Sequence, residues 1–180
     1  MSNIRLIHKD IKIERLRAEV YELLDKLQVN NNKQLSLSSS TGDDNWYDGV
    51  GNPKGKPYLF NKLNKSLKGT YIDELVSRYE KYYRWRLLIM PPVECYSIHR
   101  DVGDDRNLKY HYRLHIPVVT NVESLVLFFN HDMVNNSKGF AEYHNLLPGN
   151  SYLFNAGNSH TAINGNKKQT RIHLVGQVSK

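Results

Sequence analysis

The chain has 180 residues, of which 39% are hydrophobic and 24% are charged, a balance that suits one globular domain with a buried core. Its single cysteine, Cys95, excludes an internal disulfide and any zinc site that needs two cysteines, and it favours a reducing cytoplasm. The net charge of +7 is spread without a long Lys/Arg run, which argues against nucleic-acid binding, and no segment resembles a signal peptide or a membrane span.

The first half of the chain predicts two helices joined by an irregular segment. Apolar residues at helical spacing predict a helix over 11–27, and a shorter apolar stripe predicts a second helix over 70–83. Between them, 36–57 is rich in Ser, Gly, Asp and Pro, which is typical of a surface loop. Trp46 is unusual in such a loop. It either packs onto the core or forms a wall of a substrate site, and the sequence leaves both readings open.

From Trp85 onward, short strand-like segments are separated by Gly, Pro and Asn turns. The predicted strands cover 86–90, 95–99, 112–119, 125–129, 151–154 and 170–178. This order indicates an α+β fold with a double-stranded β-helix core (the jelly-roll or cupin-like arrangement) and N-terminal helices packed outside. We predict one domain over 1–180, with a helical and loop part over 1–84 and the jelly-roll core over 85–180.

The run His99-Arg100-Asp101 places an imidazole and a carboxylate two positions apart. On a β-strand, both side chains would leave the same face. A jelly roll brings distant strands together, so a later histidine, His160, would complete a 2-His-1-carboxylate triad. That ligand set holds Fe(II) on one face and leaves the opposite positions open for substrate and O₂. The sequence therefore predicts an iron site formed by His99, Asp101 and His160.

Arginine and histidine alternate with apolar residues on two predicted strands. His111, Arg113 and His115 share one strand face, and Arg171 and His173 share a face of the last strand. These faces are either solvent-exposed surface or, inside a barrel, the wall of one polar cavity that ligands or water must satisfy. Arg171 follows the distal histidine of the triad, where a planar guanidinium would grip the carboxylate of a co-substrate such as 2-oxoglutarate.

Five segments of the second half resemble one enzyme family. They are HRD at 99–101, YRLHIP at 112–117, LPG at 147–149 before YLF at 152–154, HTAIN at 160–164, and RIHLV at 171–175. From His99 to Val178 the chain resembles the aspartyl/asparaginyl β-hydroxylase family of Fe(II)- and 2-oxoglutarate-dependent oxygenases, a group that includes bacterial proline hydroxylases of the cis-4 type. The aspartyl hydroxylase branch has glycine at the carboxylate ligand. Because Asp101 is present, the proline-hydroxylase-like branch is the nearer analogue.

The resemblance implies that the triad binds Fe(II) and that Arg171 pairs with the distal carboxylate of 2-oxoglutarate. It also implies that Arg113 and His115 lie near the C1 carboxylate of that co-substrate. The implied reaction uses O₂ to hydroxylate an amino acid, either free or within a peptide or protein, and releases succinate and CO₂.

The substrate-binding residues are the least determined part of the predicted site. Our candidates are Trp46, Arg100 and Asn164. Two other functions stay open at this point: a non-catalytic cupin-type protein that binds a metal or small molecule, and an oxygenase that acts on nucleic acid.

Overall fold

The computed structural model describes residues 2–29, 33–51, 57–101, 112–129 and 141–178. The helices in these ranges are α1, Ile13–Lys26, and α2, Tyr71–Arg78, with single 3₁₀ turns at Pro57–Leu59 and Lys65–Leu67. Neither α1 nor α2 combines the length and apolar composition that crossing a membrane requires.

The described strands form two large antiparallel sheets and one short pair. The six-stranded sheet contains, in spatial order, β1 (Ile4–His8), β10 (Ser151–Asn155), β7 (Tyr112–Val119), β12 (Arg171–Val178), β5 (Tyr82–Met90) and β2 (Gln34–Ser36). The four-stranded sheet contains β6 (Glu94–Cys95), β11 (His160–Asn164), β8 (Ser124–Phe129) and β9 (Ala141–His144). The short pair is β3 (Ser38–Ser39) with β4 (Lys62–Leu63).

The last eight described strands pass between the two large sheets in a jelly-roll order. Strands β5, β7, β10 and β12 lie in the six-stranded sheet, whereas β6, β8, β9 and β11 form the four-stranded sheet. The chain changes sheet at each connection except the one between β8 and β9. This order is that of a double-stranded β-helix, so the predicted jelly-roll core is confirmed.

The six-stranded sheet has two chemically different faces because side chains alternate along each strand. Its outer face is apolar and shares a buried cluster with both helices, in which Leu16 and Val20 of α1 and Ile72 and Leu75 of α2 are fully buried. The residues of the six-stranded sheet in this cluster are Leu35, Trp85, Leu87, Ile89, Leu114, Ile116, Val118, Val119, Ile172 and Leu174. The intervening residues of β5, β7 and β12 point to the inner face, between the two sheets.

The first part of the chain also supplies strands. β1 pairs with β10, and β2 pairs with β5, so residues 1–84 contribute to both edges of the six-stranded sheet. The second helix is shorter than the predicted 70–83. It ends at Arg78 because the chain turns at Tyr79 and enters β5 at Tyr82.

The predicted regular strand over 95–99 is wrong. β6 covers only Glu94–Cys95, and His99 forms an isolated bridge with His160. The Tyr96 N–H bonds to the Ala162 carbonyl and the His99 N–H to the His160 carbonyl. From Tyr96 to His99 the chain advances three residues, whereas β11 advances two between Ala162 and His160. The extra residue interrupts the regular strand pairing, as in a β-bulge.

Asn164, at the end of β11, ties together the closed end of the barrel. Its side-chain amide nitrogen lies 2.8–3.2 Å from three backbone carbonyl oxygens, those of Met90, Pro91 and Gln169. Its amide oxygen accepts hydrogen bonds at 3.2 Å from Asn121 and Ser124. The side chain is fully buried and completely used by the protein, so its role is structural.

We expect Asn164→Ala to lower the free energy of unfolding by about 1–3 kcal/mol, because buried carbonyl groups lose their donor. Urea denaturation would measure this change, with Asn61→Ala, an exposed asparagine, as the matched control. Equal denaturation midpoints for Asn164→Ala and the control would contradict the structural role.

Candidate active site

A cavity of about 280 Å³ lies between the two sheets of the jelly roll. Its walls come from both sheets and from the segment that follows β6. The polar side chains that line it include Arg86, Arg113, Arg171, His115 and Tyr96. The predicted triad residues His99, Asp101 and His160 line the same cavity. Three guanidinium groups therefore share one cavity with a single described carboxylate, that of Asp101.

The triad residues converge although they are far apart in the sequence. Reciprocal backbone hydrogen bonds of 3.0 and 2.9 Å join His99 to His160. The Asp101 N–H bonds to the Ala156 carbonyl just before β11 at 2.9 Å. One ligand atom from each triad residue lies within 4.8 Å of the other two. The backbone of one short region thus fixes all three side chains around one point.

Both triad histidines are oriented by their own backbone. The Nδ1 atom of His99 lies 2.7 Å from the Ser97 carbonyl, and that of His160 lies 2.8 Å from the Asn158 carbonyl. A carbonyl only accepts, so each Nδ1 carries the proton and each Nε2 presents a lone pair. The Nε2 atoms face Asp101, at 3.8 Å for His99 and 4.0 Å for His160. This tautomer and its carbonyl support are the usual preparation of a histidine for metal binding.

Burial sets the protonation of His160. Its side chain is 7% exposed, and burial lowers its pKa to about 4, although the Asn158 carbonyl and the Asp101 carboxylate act in the opposite direction. The imidazole is therefore neutral near pH 7, as a metal ligand must be.

Asp101 is held by Arg113. The Arg113 guanidinium lies 2.8 Å from Asp101 Oδ2, and both side chains are about 15% exposed. The sequence predicted that Arg113 lies near a co-substrate carboxylate. The structure brings it into the same cavity, where its partner among the described residues is the triad carboxylate. Arg113 therefore neutralises and orients Asp101 through Oδ2, the oxygen that also lies 4.0 Å from His160 Nε2.

Arg171 is the first residue of β12 and lines a part of the cavity away from Arg113 and Asp101. It is 3% exposed, and its guanidinium donates to His173 Nδ1 at 3.2 Å. Burial lowers its pKa to about 10, and the neighbouring Tyr96 opposes that effect. A guanidinium this deeply buried keeps its charge at neutral pH, and among the described residues it has no carboxylate partner.

His115 and His173 are fully enclosed beside Arg171. Their Nδ1 atoms are 3.4 Å apart, and the His115 ring stacks on Phe154 at 4.7 Å. Burial, and then the charge of Arg171, lowers the pKa of both imidazoles well below the usual value. Since His173 Nδ1 accepts from Arg171, both rings are neutral packing and orienting groups, and His115 reaches the cavity wall as predicted.

Two cavity residues were missed by the sequence reasoning. Arg86 on β5 is 2% exposed, and the buried hydroxyl of Tyr96 has no hydrogen-bond partner among the described residues. Arg86 stands between Trp85 and Leu87, two residues of the apolar outer face. The same alternation revealed Arg113 and Arg171, but the apolar run that follows Arg86 concealed it.

The three predicted substrate residues do not line the cavity. Trp46 is half-buried and packs against the core cluster, which favours the packing role. Arg100 donates from Nε to the Ser159 hydroxyl at 2.9 Å, and Asn164 ties backbone segments together. Their role in substrate binding therefore stays a prediction without support from the cavity lining. His111, which shares a predicted face with Arg113, lies outside the described residues.

No protein-family model and no curated protein sequence matches this chain. Solved structures do match its fold. A prolyl-4-hydroxylase from Pseudomonas putida superposes with a TM-score of 0.52 at 12% identity, covering 99% of this chain and 92% of that protein. HygX from Streptomyces hygroscopicus, solved with nickel and 2-oxoglutarate bound, has a TM-score of 0.57 at 9% identity, covering 98% and 82%.

A third match is an oxidoreductase of the 2-oxoglutarate-Fe(II) oxygenase family from Burkholderia pseudomallei. Its TM-score is 0.52 at 13% identity, and the superposition covers 98% of this chain and 85% of that protein. At such identities the comparisons establish the fold, the double-stranded β-helix, and leave the chemistry to the residues in the cavity.

The metal-free protein should lose stability as the pH falls from 6.5 to 4. An unfolded histidine has a pKa of about 6.5, whereas that of His160 is about 4 in the folded protein. The unfolded chain therefore binds more protons in this window, and stability falls with pH. His160 alone would account for about 2–3 kcal/mol between pH 7 and 4.5.

Urea denaturation at both pH values, with a chelator present, measures this loss. We expect His160→Gln to lose less stability on acidification than the wild type, and His8→Gln, at an exposed histidine, to behave like the wild type. An unchanged pH dependence in His160→Gln would show that other groups cause the acid sensitivity.

Proposed function

We propose that this chain is an Fe(II)- and 2-oxoglutarate-dependent dioxygenase that hydroxylates an amino-acid substrate, free or within a peptide, with release of succinate and CO₂. One observation carries the proposal: the His99, Asp101 and His160 ligand atoms converge in the same small cavity as a buried arginine, Arg171, that has no described carboxylate partner. A metal on the triad and a dicarboxylate on the arginine would satisfy both features.

The triad fits a divalent iron ion. It offers two neutral imidazole Nε2 atoms and one carboxylate, which is the donor set of non-haem Fe(II) oxygenases. Asp101 Oδ2 is buried and accepts no well-directed hydrogen bond, although Arg113 pairs with it electrostatically. Bound there, Fe(II) would supply the activation of O₂ that is coupled to oxidation of 2-oxoglutarate.

The protein residues would bind the co-substrate, orient the metal ligands and exclude water. Arg171 would pair with the distal carboxylate of 2-oxoglutarate, since its fork matches two carboxylate oxygens and keeps its charge. Arg113 would hold Asp101 in the ligating orientation. Leu88, Val126 and Phe154, which are apolar residues of the cavity wall, would exclude water from the reacting centre.

The proline-hydroxylase-like branch of the aspartyl/asparaginyl β-hydroxylase family is the proposed affiliation. It is supported by the sequence segments that contain His99, Asp101, His160 and Arg171, and by the likeness in fold to a prolyl-4-hydroxylase. A non-catalytic cupin-type role would give no reason to bury Arg171 without a partner, so catalysis is the better account.

The test is to supply the purified protein with Fe(II), ascorbate and 2-oxoglutarate and to follow succinate. Amino acids and cell-extract peptides would then be screened by mass spectrometry for a gain of one oxygen atom. Succinate formation that depends on both Fe(II) and 2-oxoglutarate supports the proposal. Absence of succinate in the metal-loaded protein under every condition would refute it.

We expect His99→Ala, Asp101→Ala and His160→Ala each to abolish succinate formation and sharply weaken metal binding, because a facial site needs all three ligands. Calorimetric titration with Mn(II), a redox-stable substitute, measures the binding. His144→Ala is the control, since that histidine pairs with Glu142 on β9 and does not line the cavity. Metal affinity like that of the wild type in His160→Ala would remove this residue from the triad.

Arg171→Ala should weaken 2-oxoglutarate binding and spare metal binding. Truncating one partner of a buried charge pair costs on the order of 2–5 kcal/mol, so the Kd for 2-oxoglutarate should rise at least about thirtyfold. Titration of Mn(II)-loaded protein with 2-oxoglutarate checks this. If the Kd stays at the wild-type value, the dicarboxylate is bound elsewhere.

A further inference from the structure

Arg86 is a second buried guanidinium that the proposed co-substrate does not use. It lies on the inner face of β5 and is 2% exposed. One terminal nitrogen, Nη1, donates to the Gln34 side-chain oxygen at 2.9 Å. The other two nitrogens, Nε and Nη2, are buried without a hydrogen-bond partner among the described residues. Burying a charged group with two unused donor nitrogens is unfavourable in free energy unless an anion pairs with it and accepts their hydrogen bonds.

The geometry of the unused donors specifies the anion. Nε and Nη2 lie on the same edge of the planar guanidinium, and their N–H bonds run parallel. This edge matches the two oxygens of one carboxylate in a bidentate pair. Gln34 holds the opposite edge, so the free edge has a fixed direction. Gln34 is itself fixed, because its oxygen also accepts from the Gly51 N–H at 3.4 Å.

No described residue of the protein supplies that carboxylate. Asp101 is the one described carboxylate of the cavity, and Arg113 lies 2.8 Å from it. Burial, followed by the charges of Arg113 and Arg84, lowers the pKa of Arg86 well below its usual value, while Asp101 and Tyr96 act in the opposite direction. The described groups around Arg86 therefore do not neutralise its positive charge.

The proposed co-substrate does not supply it either. In the pairing of β12 with β5, Arg86 stands opposite Val175, whereas Arg171 stands opposite Met90. These levels are four residues apart along β12, or about 13 Å at roughly 3.3 Å per residue. With one end of 2-oxoglutarate at Arg171 and the other at the triad, both of its carboxylates are already engaged.

The charge balance leads to the same conclusion. Among the described lining residues, three guanidinium groups and one carboxylate, together with a divalent metal ion, carry a formal charge of +4, and the co-substrate dianion reduces it to +2. A neutral substrate would leave this excess in an enclosed space. The cavity of about 280 Å³ is also at the small end of ligand pockets, which span roughly 300–1,000 Å³, so a second occupant must be small.

We propose that Arg86 is the substrate-recognition residue of this site and that it binds the free carboxylate of a small substrate, such as the α-carboxylate of a free amino acid. This inference rests on the proposed function and narrows it, because a residue inside a peptide chain has no free α-carboxylate. The unpartnered Tyr96 hydroxyl lines the same cavity and is a second donor available to that ligand.

The test is a binding experiment that needs no turnover. Protein loaded with Mn(II) and 2-oxoglutarate, and separately the metal-free protein, would be titrated with the twenty common L-amino acids. Each acid would be compared with its primary amide and with its N-acetylated amide, which imitates a peptide residue. Calorimetry and the shift in Tm are the readouts. The variants are Arg86→Gln and Arg86→Lys, with Arg15→Gln, at an exposed arginine of α1, as the matched control.

We expect at least one free acid to bind and raise the Tm, and its two amides to bind at least about tenfold more weakly. Arg86→Gln should lose the preference for the acid, Arg86→Lys should retain part of it, and Arg15→Gln should retain all of it. The Kd of Arg86→Gln for 2-oxoglutarate should stay at the wild-type value. The Tm of this variant without ligand should stay at or above that of the wild type, which shows that the variant is folded.

Four outcomes would overturn the assignment: no acid binds, an amide binds as well as its acid, Arg86→Gln keeps the preference, or Arg86→Gln weakens 2-oxoglutarate binding instead. The last outcome would show that Arg86 binds 2-oxoglutarate rather than the substrate. Failure of 2-oxoglutarate to bind the wild type would count against the proposed function, and the titration of metal-free protein would still decide the role of Arg86.

Discussion

The two reciprocal backbone hydrogen bonds between His99 and His160 are the interaction on which the site depends. They join a loop after β6 to the first residue of β11, and so bring two side chains from distant parts of the sequence to a ring-centroid distance of 4.5 Å. Because these bonds use backbone groups, they leave both imidazoles free to present Nε2. Asp101 follows two residues later, and its own backbone N–H bond to Ala156 fixes the third ligand.

The second constraint is the two-faced nature of the six-stranded sheet. Strand alternation gives β5, β7 and β12 an apolar outer face, which the helices cover, and an inner face on which arginine and histidine stand at intervals. The outer face supplies the hydrophobic stabilisation that the inner face lacks. The helices before β5 thus contribute to function indirectly, since their packing offsets the cost of burying charge on the other side of the same strands.

The sequence was most informative where the pattern had a strict period. Strand β7 over 112–119 and helix α1 agree with prediction to within two residues, because each shows its alternation over several repeats. The triad was found by spacing together with resemblance. Strands β1, β2 and β9 have five residues or fewer and pair at sheet edges, so their local pattern is too short to recognise.

The errors at the site also have physical causes. The irregular pairing after Tyr96 depends on which residues of β11 lie opposite 96–99. This register between distant segments cannot be predicted from the local sequence pattern. Asn164 was a candidate for substrate contact because it ends the segment that begins at His160, but its amide donates to backbone carbonyls that only the folded chain brings near. Arg86 was overlooked because the apolar run that follows it is typical of a buried core strand, although the alternation of β5 places Arg86 on the inner face.

Charge separation within the cavity completes the relation between fold and function. Arg171 lies deep beside neutral imidazoles, whereas Arg113 pairs with Asp101, so distance and this one counter-charge together reduce the repulsion among the three buried cations. An empty cavity of this kind carries an electrostatic cost that anionic ligands relieve, and any ligand that binds only the folded state stabilises it by mass action. We therefore expect the same excess of positive charge to give the site affinity for anions, and the position of each arginine along its strand to determine which anion it binds.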